Sequence, residues 1–210
     1  FDVITDHNLE PEIYSFELLK EFDNYLQREA VTEYPVHIEI ETGMNRLGFN
    51  PDEINRLITF LKGTSSFKVQ SVFTHLAAGE DAAQDEFTLQ QADKFKSAAE
   101  QLKNSLGYSF MSHISNSAAI LRHPQLQMDM VRLGIGLYGI DAGNTGKLNS
   151  QNVATLNSTK KKKKKLKAGD TVSYNRKGVI ANDTLIATVR IGYADGFSRR
   201  LGNGVGKIFV

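Results

Sequence analysis

The sequence contains no cysteine. A disulfide scaffold, a Cys-ligated zinc site and a thiol nucleophile are therefore excluded, and the composition suits a reducing compartment. The sequence also lacks any apolar run close to the ~18 residues that a membrane-spanning helix needs. Its opening residues, FDVITDHNLEPEIY, contain neither the basic nor the apolar region of a signal peptide. These absences predict a cytoplasmic protein with no membrane partner.

The net charge is low, because 25 Lys and Arg oppose 24 Asp and Glu. Six of the positive charges lie in the lysine run 160–165, and without them the net charge of +1 becomes −5. A general nucleic-acid-binding surface is therefore not expected. Apolar residues form 40% of the chain, with 12 Phe and 7 Tyr, which is too many for a disordered protein.

Both ends of the sequence predict an interior piece of a longer protein. Residues 1–5 have the pattern of a strand with no initiating methionine, and the sequence stops in the β-rich segment 207–210. A strand that ends without a partner leaves unpaired backbone groups. The function is therefore predicted for a longer protein and then qualified for this chain.

Strand-like and helix-like segments alternate over the first two thirds of the chain. The helical pattern is clearest in 84–106, where apolar residues share one face, and in 52–62, which follows the helix-starting pair Asn50-Pro51. The predicted order is strand 1–5, helix 12–29, strand 36–41, helix 52–62, strand 68–74, helix 84–106, strand 109–113, helix 117–121 and strand 129–138. Such repeats predict a parallel sheet covered by helices.

The regular spacing favours a (β/α)8 TIM-type barrel, present in part, over an open dinucleotide-binding sheet, and no GxGxxG follows the first strand. After residue 141 the sequence becomes polar and rich in Gly and Asn, and short β-branched segments follow at 171–174, 178–180 and 184–191. We therefore predict an α/β barrel portion over residues 1–145 and the start of a truncated all-β domain over 146–210.

The six lysines at 160–165 conflict with this pattern, because like charges do not make a half-buried strand. A sequencing placeholder, an artefact or an exposed, solvated loop is the simplest interpretation. A patch that binds polyanions is the alternative.

Ionisable residues follow the predicted barrel strands, where active sites of this architecture lie. Arg46, His75 and Arg132 each come after or within a different strand. Taken singly, Arg46 suits a surface ion pair, His75 a buried imidazole and Arg132 a helix-capping cation. Two arginines and a histidine at one rim are more typical of a site. A metal is not expected, because His75 and His113 have no third ligand and the arginines repel a cation.

The last two predicted loops together suggest an anion site. Asn116 and Ser117 open a short helix whose free N–H groups suit an anion, and Gly134 lets the backbone approach closely. Phosphate sites after the last strands recur in such barrels. A phosphorylated cofactor or substrate is therefore predicted, unless Ser117 only caps its helix.

In the β domain, the segment IGYADGFSR holds a tyrosine, an aspartate and an arginine in a glycine-bounded turn. Tyr193 suits an acid–base group if nearby cations lower its pKa. The alternative is an ordinary turn with a packed tyrosine.

Five segments in series resemble the alanine racemases, a pyridoxal 5'-phosphate (PLP) family with a barrel and a β domain. They are ETGMNRLGF at 41–49, FTHLAAGED at 73–81, HISNSAAILRHP at 113–124, DMVRLGIGLYGI at 129–140 and VRIGYADGFSRR at 189–200. Their order and spacing are those of the family, and the resemblance covers about residues 1–206.

The resemblance implies a role for each matching position. Tyr193 matches the tyrosine that handles the α-proton on one face of the substrate and reaches into the partner subunit's site, so a homodimer is expected. Arg132 matches the arginine on the PLP ring nitrogen, His75 the histidine that orients it, and Arg46 the arginine near the cofactor's phenolic oxygen. Ser117, Gly134 and Ile135 match phosphate contacts, next to Asn116.

The sequence departs from the family at two kinds of position. The PLP-bearing lysine, which is also the second base, lies upstream of Phe1 in the family, and the substrate-carboxylate loop lies beyond Val210. Where many members carry a carbamylated lysine, this chain has Glu39. We hypothesise that Glu39 supplies the negative charge directly and orients Arg46. The chain by itself is predicted to be inactive.

The resemblance thus implies an enzyme that interconverts L- and D-alanine with PLP and supplies D-alanine for peptidoglycan. Its partners would be an amino-acid substrate and a second subunit. A PLP-dependent racemase of another amino acid, such as serine, is the nearest alternative. A non-catalytic PLP-binding barrel protein lacks the GYADG domain, and a PLP decarboxylase differs from TGMNRLG and HISNSAA.

Overall fold

A computed structural model describes residues 1–149, 156–202 and 204–207. The chain divides into two compact units, residues 1–153 and 154–210. The domain boundary expected at 145–146 stays a prediction, because residues 150–155 lie outside the described residues. No helix in the described part is long and apolar enough to cross a membrane.

The first unit is a parallel sheet with helices packed against it. The strands are β1 (Glu12–Ile13), β2 (Tyr34–Glu39), β3 (Phe67–Phe73) and β4 (Met111–His113). The helices are α1 (Asp2–Asp6), α2 (Phe16–Arg28), α3 (Ile54–Gly63), α4 (Asp85–Leu106) and α5 (Ser117–Arg122). The strands are hydrogen-bonded in the order β1-β2-β3-β4, all parallel, which confirms the predicted α/β architecture.

The core lies between this sheet and the helices. The predicted apolar stripe of α4 is buried through Phe95, Ala98 and Leu102, because residues three or four apart share one helix face. Fully buried strand residues such as Val36 and Ile38 belong to the same core. Helix α2 begins at Ser15, whose side chain accepts a hydrogen bond from the backbone of Leu18.

Two of the predicted strands are wrong. The segment 1–5 instead begins the short helix α1, because the carbonyl of Phe1 accepts hydrogen bonds from the backbone of Ile4 and Thr5. The Phe1 ring stacks on Phe22 at 4.8 Å. Residues 129–138 contribute only an isolated bridge between Met130 and His113, followed by a 3-10 turn. The N-terminal part of the helix predicted over 12–29 is strand β1.

The second unit contains two antiparallel strand pairs, which confirms its all-β character. They are β5 (Lys160–Leu166) with β8 (Thr184–Val189), and β6 (Thr171–Val172) with β7 (Gly178–Val179). Of the interpretations of the lysine run, the loop is wrong, because all six lysines lie in strand β5, while their expected exposure is confirmed and Leu166 at the strand's end is buried. A placeholder, an artefact and a polyanion-binding patch stay untested. Backbone pairing builds this strand, and the side chains remain in water.

Candidate active site

The carboxyl ends of β2, β3 and β4 bring three loops together, because parallel strands end at the same edge of a sheet. In the loop after β2, the Glu41 carboxylate accepts hydrogen bonds from the backbone of Gly43 and, at 2.7 Å, of Asn45. Gly48 has φ +112°, and a side chain there would meet backbone atoms of the β2 end. The TGMNRLG segment is thus a tightly folded loop, on which Arg46 is exposed.

Gln91 joins this loop to the next one. It is fully buried on α4, and its Nε2 donates to Thr42 Oγ1 at 3.2 Å and to the His75 carbonyl at 3.1 Å. Its Oε1 accepts from the backbone of Ala77 at 3.0 Å. Sequence reasoning missed Gln91, although an amide on the apolar stripe of α4 was the available signal.

Arg132 is held on three sides. Its Nη1 lies 2.6 Å from Nδ1 of His113, and its Nη2 donates to the Thr74 carbonyl at 2.8 Å. The guanidinium carbon lies 5.1 Å from the centre of the Phe73 ring, a cation–π distance. That ring stacks on His113 at 5.0 Å and 3°. The guanidinium is therefore fixed before any ligand binds.

The histidine on Arg132 differs from the expected one. His113, not His75, contacts the guanidinium, and no hydrogen bond between His75 and Arg132 is present in the described part of the chain. The reason is register: His113 ends β4 next to Phe73, while His75 lies in the loop after β3. Burial, reinforced by Arg132, lowers the pKa of His113 to about 4. Burial, Arg132 and Arg46 also lower the pKa of His75, so both rings are neutral at pH 7.

The predicted anion-binding residues line one cavity of about 450 Å³, within the usual range for a ligand pocket. Asn116, Ser117, Gly134 and Ile135 share its wall with Arg132 and His75, and Glu80, Ala118, Leu133 and Ala142 complete it. The structure thus brings together six of the residues that the sequence singled out.

The chemistry of this cavity suits a phosphate-bearing ligand. The Ser117 hydroxyl accepts hydrogen bonds from the backbone of Gly134 at 2.8 Å and of Gly136 at 3.1 Å, which joins the two loops. A side chain at Gly136 would lie 3.0 Å from Leu133 and 3.3 Å from the Ser117 Cβ, so the two loops pack most closely with glycine at this buried position. The Ser117 hydroxyl still has its own proton to donate, and together with the Arg132 cation it offers donors to an anion.

Glu39 does not contact Arg46 as hypothesised. No ion pair within 4 Å joins them among the residues described, and one Glu39 carboxylate oxygen has no hydrogen-bond partner. Burial and, after it, the Glu12 carboxyl together raise the pKa of Glu39 to about 8, although the Arg46 charge opposes the rise. The expected positioning of Arg46 is therefore corrected: Glu39 lies beside another carboxyl, which favours its protonated form.

Tyr193 lies in the second unit and is described there by itself. It begins a 3-10 turn in which Asp195 accepts a hydrogen bond from the backbone of Gly192 at 2.9 Å. The Arg199 guanidinium lies 4.3 Å from the centre of the Tyr193 ring. With 66% of its surface exposed, Tyr193 is open to contact with another molecule.

Within the described ranges, no group of three or more His, Asp and Glu side chains is arranged to hold a metal ion.

Comparison with known proteins identifies both parts of the chain. Residues 1–142 match the family model "Alanine racemase, N-terminal domain", and residues 153–210 match "Alanine racemase, C-terminal domain". "Alanine racemase 1" of Oceanobacillus iheyensis is 36% identical over 97% of this chain and 54% of its own length. The alanine racemase of Clostridium tetani is 34% identical over 97% of this chain and 53% of its own length.

Solved structures show the same relationship. An alanine racemase of Clostridium difficile 630 has a TM-score of 0.77 at 31% identity, covering 91% of this chain and 50% of its own. The alanine racemase of Bartonella henselae, solved with covalently bound pyridoxal phosphate, has a TM-score of 0.75 at 26% identity, covering 95% and 54%. The chain therefore spans about half the length of the curated relatives it matches.

Proposed function

The chain belongs to the alanine racemase family, and on this premise we propose that the whole protein interconverts L- and D-alanine with PLP as its cofactor. The observation that carries the proposal is the cavity in which Arg132, His75, Ser117 and Gly134 meet. D-Alanine is a building block of peptidoglycan, so the proposed role is its supply for the cell wall.

The residues of the cavity fit PLP. Ser117, Asn116, Gly134 and Ile135 would hold its phosphate, in keeping with their place on the cavity wall and with the proton that the Ser117 hydroxyl can still donate. Bound PLP withdraws electrons from the substrate's α-carbon and makes its α-proton acidic. The Bartonella relative, solved with covalently bound pyridoxal phosphate, supports this choice of cofactor.

Arg132 would face the ring nitrogen of the cofactor. A guanidinium stays protonated at all working pH values, so it donates to that nitrogen and leaves it unprotonated. The cofactor ring would then withdraw electrons from the substrate less strongly, which disfavours side reactions such as transamination. His113 and Thr74 hold Arg132 for this task, His75 would contact the cofactor from the cavity wall, and Arg46 would lie near its phenolic oxygen.

Tyr193 would hold and deliver the α-proton on one face of the substrate. Its phenol is exposed, as a group that reaches into a second subunit's site must be. We therefore propose a homodimer, in the cytoplasm, with an amino acid as substrate. The base on the opposite face is the family's PLP-bearing lysine, which has no matching position in this chain.

The test is the formation of D-alanine from L-alanine by the whole protein with PLP, with Tyr193→Phe compared alongside. Removal of a proton-transfer group costs about 10²–10⁴-fold in rate. Tyr174→Phe is the matched control, because Tyr174 is 94% exposed in the same unit and lies outside the GYADG turn. It is expected to leave the rate unchanged.

Other outcomes would contradict the proposal in distinct ways. If the whole protein racemised serine and not alanine, the proposed substrate would be wrong, while the proposed mechanism would stand. PLP binding without racemisation would indicate a non-catalytic carrier. Absorbance of PLP alone is not proof of a site, because the six exposed lysines of β5 can also react with it.

A further inference from the structure

A chain of hydrogen-bonded side chains crosses the parallel sheet and ends at Arg132. Glu10 Oε2 lies 2.9 Å from His37 Nε2, and His37 Nδ1 lies 2.6 Å from Ser71 Oγ. Ser71 Oγ lies 3.0 Å from His113 Nε2, and His113 Nδ1 lies 2.6 Å from Arg132 Nη1. Four consecutive contacts thus connect a half-exposed carboxylate to the guanidinium.

A break in strand register builds this chain. Val36 on β2 pairs with Val69 on β3, but the next residue, His37, pairs with Ser71, so Gln70 is an extra residue in the ladder. Such a bulge redirects the side chains that follow it. The shift makes His37 and Ser71 register partners, and partners on adjacent parallel strands project from the same face.

The directions of these hydrogen bonds are set from both ends, by the Arg132 guanidinium and by the Glu10 carboxylate, which only accepts. A guanidinium only donates, so His113 Nδ1 must accept, and the neutral ring then carries its proton on Nε2. That N–H donates to Ser71, and the Ser71 hydroxyl donates to Nδ1 of His37. His37 then carries its proton on Nε2 and donates to Glu10. Burial and Arg132 lower the pKa of His113 to about 4, which keeps this ring neutral.

We propose that Ser71, His37 and Glu10 are positioning residues that fix the tautomer of His113 and thereby hold Arg132 in place. Neither Ser71, which is fully buried, nor His113, 4% exposed, can exchange its partner for bulk water. If His113 carried its proton on Nδ1, two donors would face each other and the contact with Arg132 would be lost. The consequence for catalysis rests on the proposed function, whereas the tautomers do not.

The first test is heteronuclear NMR of the histidine ring nitrogens in the whole protein. Each ring is assigned through its own His→Gln variant. We expect His113 and His37 each to carry a single proton, on Nε2, at neutral pH. A proton on Nδ1 of His113, or a doubly protonated His37 ring, would overturn the proposal. This measurement needs no activity and no variant of Ser71.

The second test compares Ser71→Ala with Ser112→Ala. Ser112 is also a buried strand serine, next to His113 in sequence, but its hydroxyl has no hydrogen-bond partner in the structure. Ser71→Ala is expected to produce a mixture of the two His113 tautomers. It is also expected to speed hydrogen exchange at the Arg132 guanidinium about tenfold and to lower kcat/KM about tenfold. Ser112→Ala is expected to change none of them.

Glu10→Gln keeps an acceptor for His37 and is expected to preserve the tautomers, as is Glu21→Gln, an exposed carboxylate on α2. Equal effects of Ser71→Ala and Ser112→Ala would show that packing, and not the hydroxyl, matters. If the whole protein racemises no amino acid, the proposed function fails, while the tautomers still decide whether this chain of hydrogen bonds exists.

Discussion

Replacing Glu39 by Gln is expected to remove part of the pH dependence of stability. Glu39 is 3% exposed on β2, and one of its carboxylate oxygens has no partner. Burial and the adjacent Glu12 raise its pKa from 4.5 to about 8, so the folded chain holds a proton that the unfolded chain releases. This stabilisation is fully present below pH 4.5 and is lost as the pH rises through about 8.

The size of the effect follows from the pKa difference. Each pKa unit corresponds to about 1.4 kcal/mol, so the free energy of unfolding falls by up to about 5 kcal/mol between the two pKa values of Glu39. A glutamine has nearly the same shape and never ionises. Glu39→Gln is therefore expected to match the wild type in acid and to exceed it above pH 8.

The assay is urea unfolding of the chain at a series of pH values from acid to above 8, followed by circular dichroism. Glu21→Gln, an exposed carboxylate on α2, serves as the control and should keep the wild-type slope. If Glu39→Gln shows the same pH slope as the wild type, then Glu39 is ionised in the folded chain and the reasoning fails.

Two further substitutions test the loops of the site. Gly48→Ala should destabilise the chain by at least ~1–3 kcal/mol in urea unfolding, because φ is +112° and the new methyl group would lie 2.7 Å from a backbone nitrogen. Gly63→Ala, with open space around it, should be neutral or stabilising. An equal loss of stability in the two variants would contradict this reasoning. Gln91→Leu should cost ~1–3 kcal/mol in the same assay by leaving buried polar groups unpaired, whereas Gln90→Leu on the exposed side of α4 should not.

The parts of the fold with strong periodicity were predictable from the sequence. Helix α4 and strands β2 and β3 were found within two residues of their ends, because their apolar patterns match the face that the core buries. Residues 1–5 were wrongly predicted to form a strand because Val3, Ile4 and Thr5 are β-branched. Their helix depends on the packing of Phe1 against Phe22, a tertiary contact that local propensity does not contain.

The segment 129–138 shows a different limit. Its apolar residues alternate with other residues as in a strand. However, the backbone N–H groups of Gly134 and Gly136 donate to the Ser117 hydroxyl and are therefore not available for pairing with a neighbouring strand. The family motifs identified the wall of the cavity. The contact between His113 and Arg132 depended on strand register, which spacing in the sequence does not reveal.

Strand β5 has a consequence for association between molecules. An unpaired strand edge invites a second chain to add to the sheet, and lysines on such an edge oppose it. β5 pairs with β8 along one side, and its six exposed ammonium groups surround the ribbon with a single sign of charge. The repulsion reaches only ~8 Å at physiological ionic strength and less in concentrated salt. We therefore expect concentrated salt to remove this protection, so that association of copies through β5 increases with ionic strength.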